Sequence, residues 1–278
     1  MSVARDLTTR GGRLVVATTT YLYFGLILLF PLGWLVYEAL QFGTTTLLEQ
    51  LGSEPALHAF WLTAVIALIT AVLNGVFGIA LAIVFTRQRF WGRSLANALV
   101  DMPFAVSPVV AGLMIILVYG PHGLLGFFFE GLGIPMVFAL PGMVLASVFV
   151  TFPFVVRELI PVLEQAGTEM EEAARTLGAP PWTVFRAVTF PTIRGALAYG
   201  LALTVARSLG EFGAVLVVSG NIVQKTQTAP LYVFQAYADF DMPAAFAASL
   251  VLILVAVLML VVLGIWRRRR DRLERRRD

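Results

Sequence analysis

Apolar residues come in long runs along this chain, and polar residues gather in the gaps between them. Six runs reach the roughly 20 residues that a helix needs to cross a hydrocarbon core. They are Leu14–Leu40, Leu57–Phe85, Leu95–Tyr119, Val137–Leu163, Gly195–Ser219 and Pro243–Trp266. None alternates apolar and polar positions over short segments, which excludes the strands of a membrane barrel. None is amphipathic enough to lie flat on a bilayer. The pattern predicts an all-α integral membrane protein of about six transmembrane helices, with residues 1–278 forming one transmembrane domain. Residues 41–56, 120–136 and 220–242 become the connections on one side, with a short amphipathic helix predicted over Pro230–Asp239.

Charge sorts the two sides. Arg5, Arg10 and Arg13 precede the first run, Arg87, Arg89 and Arg93 separate the second from the third, and Arg157, Arg175, Arg186 and Arg194 flank or occupy the segment between the fourth and fifth. A basic tail, 267–278, follows the sixth and reads as a topology anchor that attracts anionic lipid headgroups. The opposite connections hold Lys225 as their one basic residue, beside Glu49, Glu54, Glu130, Asp239 and Asp241. Positive-inside bias of this size predicts both termini in the cytoplasm. The first run follows arginines, is long enough to span and lacks a small-residue cleavage site, so it reads as a span rather than a cleavable signal.

Composition removes several kinds of chemistry. Of 278 residues 59% are hydrophobic and 13% charged, and the mean hydropathy is +0.85, outside soluble usage. There is no cysteine, which excludes disulfides, thiolate catalysis and cysteine–zinc sites. His58 and His122 are the two histidines and sit far apart, so no metal site can be assembled, and no nucleophile–base pair emerges either. The expectation is a non-catalytic protein without a cofactor of its own and without a nucleic-acid partner.

One cytoplasmic stretch departs from the apolar pattern. Residues 164–194 read EQAGTEMEEAARTLGAPPWTVFRAVTFPTIR. Thr168 and Glu171 have capping-box spacing, which predicts a helix start. Gly178 is placed to end that helix in a left-handed conformation, and Pro180 or Pro181 to open a second. Pro191 is expected to end the second helix before the fifth span. Ala173 and Ala174 offer a flat face, and Trp182, Val184, Phe185 and Val188 more apolar surface than a solvated loop requires, which suits docking into a groove of another protein. An ordinary capped loop is the plainer reading.

Glu172-Ala173-Ala174, three residues, Gly178, nine residues, then Val188-Thr189-Phe190-Pro191 resembles the EAA signature of permease subunits from type I ABC importers. Val188 and Phe190 stand where the signature has isoleucine and leucine. The resemblance implies the type I importer permease fold. It also implies that this element is a coupling helix seated in a separate ATPase, with Glu171, Glu172, Ala173, Ala174, Gly178, Ala179, Pro180 and Trp182 as coupling residues. A P-loop requires a lysine in G-x-x-x-x-G-K-[ST], and Lys225 is the sole lysine, in an external connection. ATP and magnesium would therefore bind to the ATPase partner and not to this chain.

The runs Asp101–Met114, Phe149–Val162 and Gly210–Ile222 resemble permeases of the sulfate/thiosulfate importer, the W-type more than the T-type, although Asn221–Val233 is closer to the T-type. That resemblance implies further partners: an ABC ATPase dimer, a second homologous permease of T-type or another copy of this chain, and an external sulfate-binding protein, for which Tyr232–Asp241 is a candidate dock. The setting would be the bacterial cytoplasmic (inner) membrane. Molybdate or tungstate is the alternative cargo, and an ion-gradient-driven transporter or a non-transporting scaffold are the alternatives of other classes.

For the translocation pathway, Arg207 and Glu211 lie four apart on one helical face. Arg207 falls about 12 residues into the predicted fifth span, near mid-membrane at 1.5 Å per residue. A charge at that depth marks a pathway or a structural ion pair that locks helices together; both readings stand. Phe212, with Gly210 and Gly213, could form a gate, or the glycines could serve close packing. Ser107-Pro108 could open a half-helix capped by Ser107 or kink a continuous one. Arg157 and Glu158 read as interfacial.

Overall fold

The computed structural model describes residues 10–274, with side chains over 14–265. Arg5 and residues 275–278 of the basic tail lie outside the described residues, as do the side chains of 10–13 and 266–274. No strand occurs among the described residues. Helix α1 comprises Arg10–Phe24, a π turn Gly25–Leu29 and Phe30–Gln41. Short α2 (Thr44–Leu51) leads into α3 (Glu54–Arg87). Two half-length helices follow, α4 (Arg93–Ala105) and α5 (Pro108–Tyr119), then a short α6 (Gly126–Gly131) and long α7 (Leu140–Ala166). Helix α8 is Glu169–Thr176. Helix α9 runs as Pro181–Val184, a π turn Phe185–Thr189 and Phe190–Leu209. The chain ends with α10 (Gly213–Ser219), α11 (Ala229–Ala238) and α12 (Met242–Glu274).

Four of the six predicted spans appear as expected, as α1, α3, α7 and α12. The other two are interrupted. The third splits between Ala105 and Pro108, where α4 and α5 meet at 114°. This break is far more than a proline kink. Pro108 has no amide to extend α4, and Val106 before it is extended (ψ 131°). The fifth starts earlier than Gly195 and breaks at Gly210–Phe212, resuming as α10. Pro191 does not end a helix. The π turn before it widens the backbone, with Phe190 N–H bonding to Phe185 O five residues back, and this offset absorbs the proline's missing amide and its ring. The same device precedes Pro31 in α1, where Phe30 N–H bonds to Gly25 O. The connections at 41–56 and 120–136 carry the short helices α2 and α6, and the predicted helix at 230–239 is α11.

Helix α7 is the centre. More than half of its most apolar stretch is buried, against none of that of α1. It packs with α3 and α9 through Ala82, Val155, Leu159, Leu163, Ile193 and Ala196 at the end of the bundle that carries α8. At the opposite end it packs with α3, α10 and α11 through Leu62, Ile66, Met143, Val144, Val215 and Leu231. Inside this apolar core, Asn74 Nδ2 donates to Thr151 Oγ1 at 2.7 Å, and Thr151 donates to Ser147 O at 2.6 Å. Such bonds tie helices where lipid offers no hydrophobic drive to associate.

The two interrupted spans meet each other. Helix α5 packs on α10, with Ile115, Ala146, Val150, Ala214 and Val218 forming a shared cluster with α7. Gly112 permits that approach, because a Cβ there would sit 2.6 Å from Ala214 O and 3.0 Å from Val217 Cβ. The obstacle is backbone and cannot step aside. Gly112→Ala is therefore expected to destabilise the fold by about 1–3 kcal/mol. Gly33→Ala in α1, where nothing lies within 4 Å of the added carbon, should leave stability unchanged or raise it slightly. Thermal unfolding of the detergent-solubilised protein distinguishes the two.

Candidate functional site

Helix α8 forms a knob at one end of the bundle. It stops where Gly178 takes φ +83°. Ala179 N–H bonds to Ala174 O at 3.1 Å and Gly178 N–H to Arg175 O at 2.9 Å, the paired bonds of a Schellman stop, which a left-handed glycine allows at no steric cost. Pro180 then lies extended and accepts the amides of Thr183 and Val184, so Pro181 opens α9 where no donor is needed.

The start of α8 differs from the sequence expectation. Thr168 makes no side-chain cap, and Glu171 does not reach back to close a capping box. Glu171 points inward instead and is 7% exposed. Its carboxylate receives Arg87 Nε and Nη2, each at 3.1 Å, and Thr189 Oγ1 at 2.9 Å. Arg87 donates its remaining arm to Leu163 O at 3.1 Å. The bidentate fork outcompetes a local cap because it neutralises a half-buried guanidinium at the end of α3.

The outward face of the knob therefore lacks Glu171. It consists of Glu172, Ala173, Arg175, Thr176, Leu177, Gly178, Pro180 and Trp182, with Ala174 and Ala179 half-buried. Met170, Leu177 and Trp182 are 65%, 88% and 68% exposed, and Trp182 stacks on Phe185 at 5.5 Å. Of the four residues expected to supply apolar surface, Val184 is buried in the α9 turn and Phe185 and Val188 are half-buried. Met170 and Leu177 replace them. Their signal lay in the register: 170 and 177 are two turns apart on one helical face.

The second candidate site lies at the interruption of the fifth span. Arg207 is in the last turn of α9, beside the break at Gly210–Phe212. Its Nη1 pairs with Glu211 Oε2 at 2.7 Å, the arginine side chain 36% exposed and the glutamate 1%. Glu211 Oε1 accepts Ala214 N–H at 3.1 Å in the first turn of α10. The cation thus sits at a helix C-terminus and the carboxylate at a helix N-terminus, each where the backbone dipole favours it. Phe212 is half-buried against Phe234 of α11, ring centroids 5.3 Å apart. Ser107 heads α5 and is exposed, but its hydroxyl caps nothing; its carbonyl accepts Ala111 N–H at 3.0 Å. Gly213 brings the two interruptions together, since a Cβ there would lie 3.1 Å from Pro108 Cβ. Ser107, Arg207, Glu211 and Phe212 therefore belong to one neighbourhood.

Arg157 is more than interfacial. Its guanidinium donates to both oxygens of Asp101, at 2.7 and 2.6 Å, and to Asn97 Oδ1 and Asn97 O at 3.0 and 2.9 Å. This fixes α4 to α7. No local sequence signal links residues 56 and 60 positions apart. No group of three or more potential metal ligands occurs among the described residues.

Removing one member of the Arg207–Glu211 pair has unequal consequences. Arg207→Gln leaves a fully buried carboxylate without its cation, and is expected to cost about 3 kcal/mol. Glu211→Gln leaves a guanidinium that water can reach, and should cost about 1 kcal/mol. Denaturant or thermal unfolding of the purified variants gives the order.

Comparison with known proteins places this architecture. The profile of the family described as "Binding-protein-dependent transport system inner membrane component" matches residues 74–276. The sulfate transport system permease protein CysW of Synechocystis sp. is 50% identical over 240 residues, 86% of this chain and 87% of that protein. CysW of Escherichia coli K12 is 46% identical over 250 residues, 90% of this chain and 86% of that protein. CysT of the same organism is 40% identical over 242 residues, 87% of each. Among solved structures, a bacterial alginate ABC transporter in complex with a pentasaccharide-bound periplasmic protein matches with TM-score 0.76 at 17% identity, over 97% of both chains.

Proposed function

The chain belongs to the family of binding-protein-dependent transport system inner membrane components, and we propose that it is the W-type permease subunit of an ATP-driven importer of sulfate or thiosulfate. The observation that carries this reading is the 45–50% identity, across most of the chain, to sulfate transport system permeases. The higher identity to CysW than to CysT supports pairing with a homologous T-type permease. The exposed α8–α9 corner supports a separate ATPase as partner, since Met170, Leu177 and Trp182 give it the apolar anchors of a helix that docks in a groove. That corner, with both termini, faces the cytoplasm of a bacterial inner membrane in this reading, and segment 220–241 faces the external binding protein.

Transport then runs as follows. ATP closes a dimer of ATPase subunits, each gripping a knob, and the knobs carry their bundles between inward- and outward-facing arrangements. The binding protein releases its oxyanion between the permeases. Arg207 offers that anion the guanidinium donors that Glu211 does not occupy, while the neighbouring carboxylate keeps the hold weak enough for release.

Two measurements test the reading. In proteoliposomes holding the complete complex, uptake of labelled sulfate should require ATP and the external binding protein, and should survive collapse of the proton gradient. Uptake that follows the gradient with ATP held constant overturns it. Trp182→Ala with Leu177→Ser should reduce ATPase retention on purification by about tenfold, the loss expected when buried apolar anchors are removed. For the pathway, Arg207→Lys keeps a charge for Glu211 but gives up the fork. It should lower sulfate flux by about tenfold, roughly one lost charge-assisted bond, while assembly is kept. Flux equal to that of the parent removes Arg207 from the route.

A further inference from the structure

Glu171 was expected on the docking face and is instead the buried end of a bracket. Four segments converge on it and Arg87: the last residue of α3, the Leu163 carbonyl near the end of α7, α8 itself, and Thr189 in the π turn of α9. Side-chain exposures of 15% for Arg87 and 9% for Glu171 shield the pair from water. A cavity of about 160 Å³, lined by Arg87, Leu163, Met170, Glu171 and Val188 among others, lies between α8 and the bundle. Close apolar packing therefore does not seat α8 here, and a charged bracket bridges the gap.

We infer that the Arg87–Glu171–Thr189 bracket is the positioning element that transmits displacement of α8 to the transmembrane bundle. The inference rests on the reading of α8 as the ATPase-gripped knob. The three helices that the bracket grips share one core, through Ala82, Val155, Leu159, Leu163 and Ile193. A push on α8 therefore moves α3, α7 and α9 as one body. An arginine suits this role because its planar fork fixes direction as well as distance, which a lysine ammonium does not. Thr189 matters for a further reason. It closes a π turn, a locally wide stretch of backbone, and its bond to Glu171 stops that turn from absorbing the movement.

The test uses the assembled importer with its ATPase and binding protein. In Glu171→Gln the neutral amide leaves Arg87 without its charge partner while the outward face of α8 keeps its residues. The expected result is a complex that retains its ATPase on purification and hydrolyses ATP, but moves about tenfold less sulfate per ATP, a loss typical of a broken coupling. The chain contains no cysteine, so Arg87→Cys with Glu171→Cys creates two thiols, which a short bifunctional thiol reagent can bridge. Bridging should restore sulfate per ATP relative to the same variant unbridged. An unchanged ratio in Glu171→Gln overturns the inference. If Glu171→Gln fails to assemble, the bridged pair decides: a restored ratio supports the bracket and an unrestored one overturns it. Failure of the parent chain to retain an ATPase at all would instead sink the reading of α8 as the knob.

Discussion

A helix that stops inside an apolar medium leaves amides and carbonyls with no water to satisfy them, and this chain stops two. Irregular backbone survives at that depth only where protein covers it or a polar space lines it. The Arg207–Glu211 pair is what makes the second interruption sustainable. Arg207 lies at the carbonyl end of α9, Glu211 receives an amide of α10, and the two charges neutralise each other at 2.7 Å. The first interruption leans on the second, Gly213 against Pro108 and Gly112 against Ala214. One ion pair thus supports a region where two spans are open at once. The same opening exposes polar groups to a solute, so structural and pathway readings of Arg207 are compatible: a cation must be held firmly before it can be offered.

Around that region the bundle divides by attachment. One end of α7 holds α5, α10 and α11, the end that carries α8 holds α9 and, through Arg157, α4, and α3 packs along both. Beyond Ser219 the chain is also tied down. Thr226 Oγ1 donates to Ser219 O at 2.6 Å, and Ala229 N–H bonds to Thr63 Oγ1 at 2.8 Å. Thr226, Gln227 and Thr228 are accordingly buried although they lie in a connection. This connection is folded onto the bundle, and Tyr237 and Phe240 beside it stand 64% and 83% exposed. Helix α1 takes no part in this core, and its apolar surface is left for lipid or a neighbouring subunit.

Periodicity and length made four spans legible in the sequence, because a long apolar run has few alternatives to a crossing helix. The left-handed Gly178 and the helix opened at Pro181 were legible too, since their constraints are local. The misreadings arose where a distant group decided the outcome. Thr168 and Glu171 have the right spacing for a capping box, but Arg87, 84 residues away, takes the carboxylate. Pro191 should have ended a helix, but a π turn accommodates it. Val184 looked like docking surface and is buried at 3% exposure. Ser107-Pro108 was open to a half-helix or a kink; the helix is broken there, and the Ser107 hydroxyl makes no cap bond. Arg157 gave no hint of Asp101, because nothing in spacing links residues on two different helices.

Three of the arginine–carboxylate pairs differ in how easily they open, and burial decides the difference. Arg87–Glu171 is shielded on both sides, at 15% and 9% exposure, so separating it would strand two charges away from water. Arg207–Glu211 is shielded on the glutamate side alone, so it resists opening from beneath while the guanidinium stays accessible. Of these three, Arg157–Asp101 has the shortest bonds but also the wettest partners, at 32% and 48% exposure. Water can replace each of its bonds as they part, and an exposed pair has little net stability to lose. Parting α4 from α7 at Arg157 therefore strands less charge away from water than parting the bracket at Arg87.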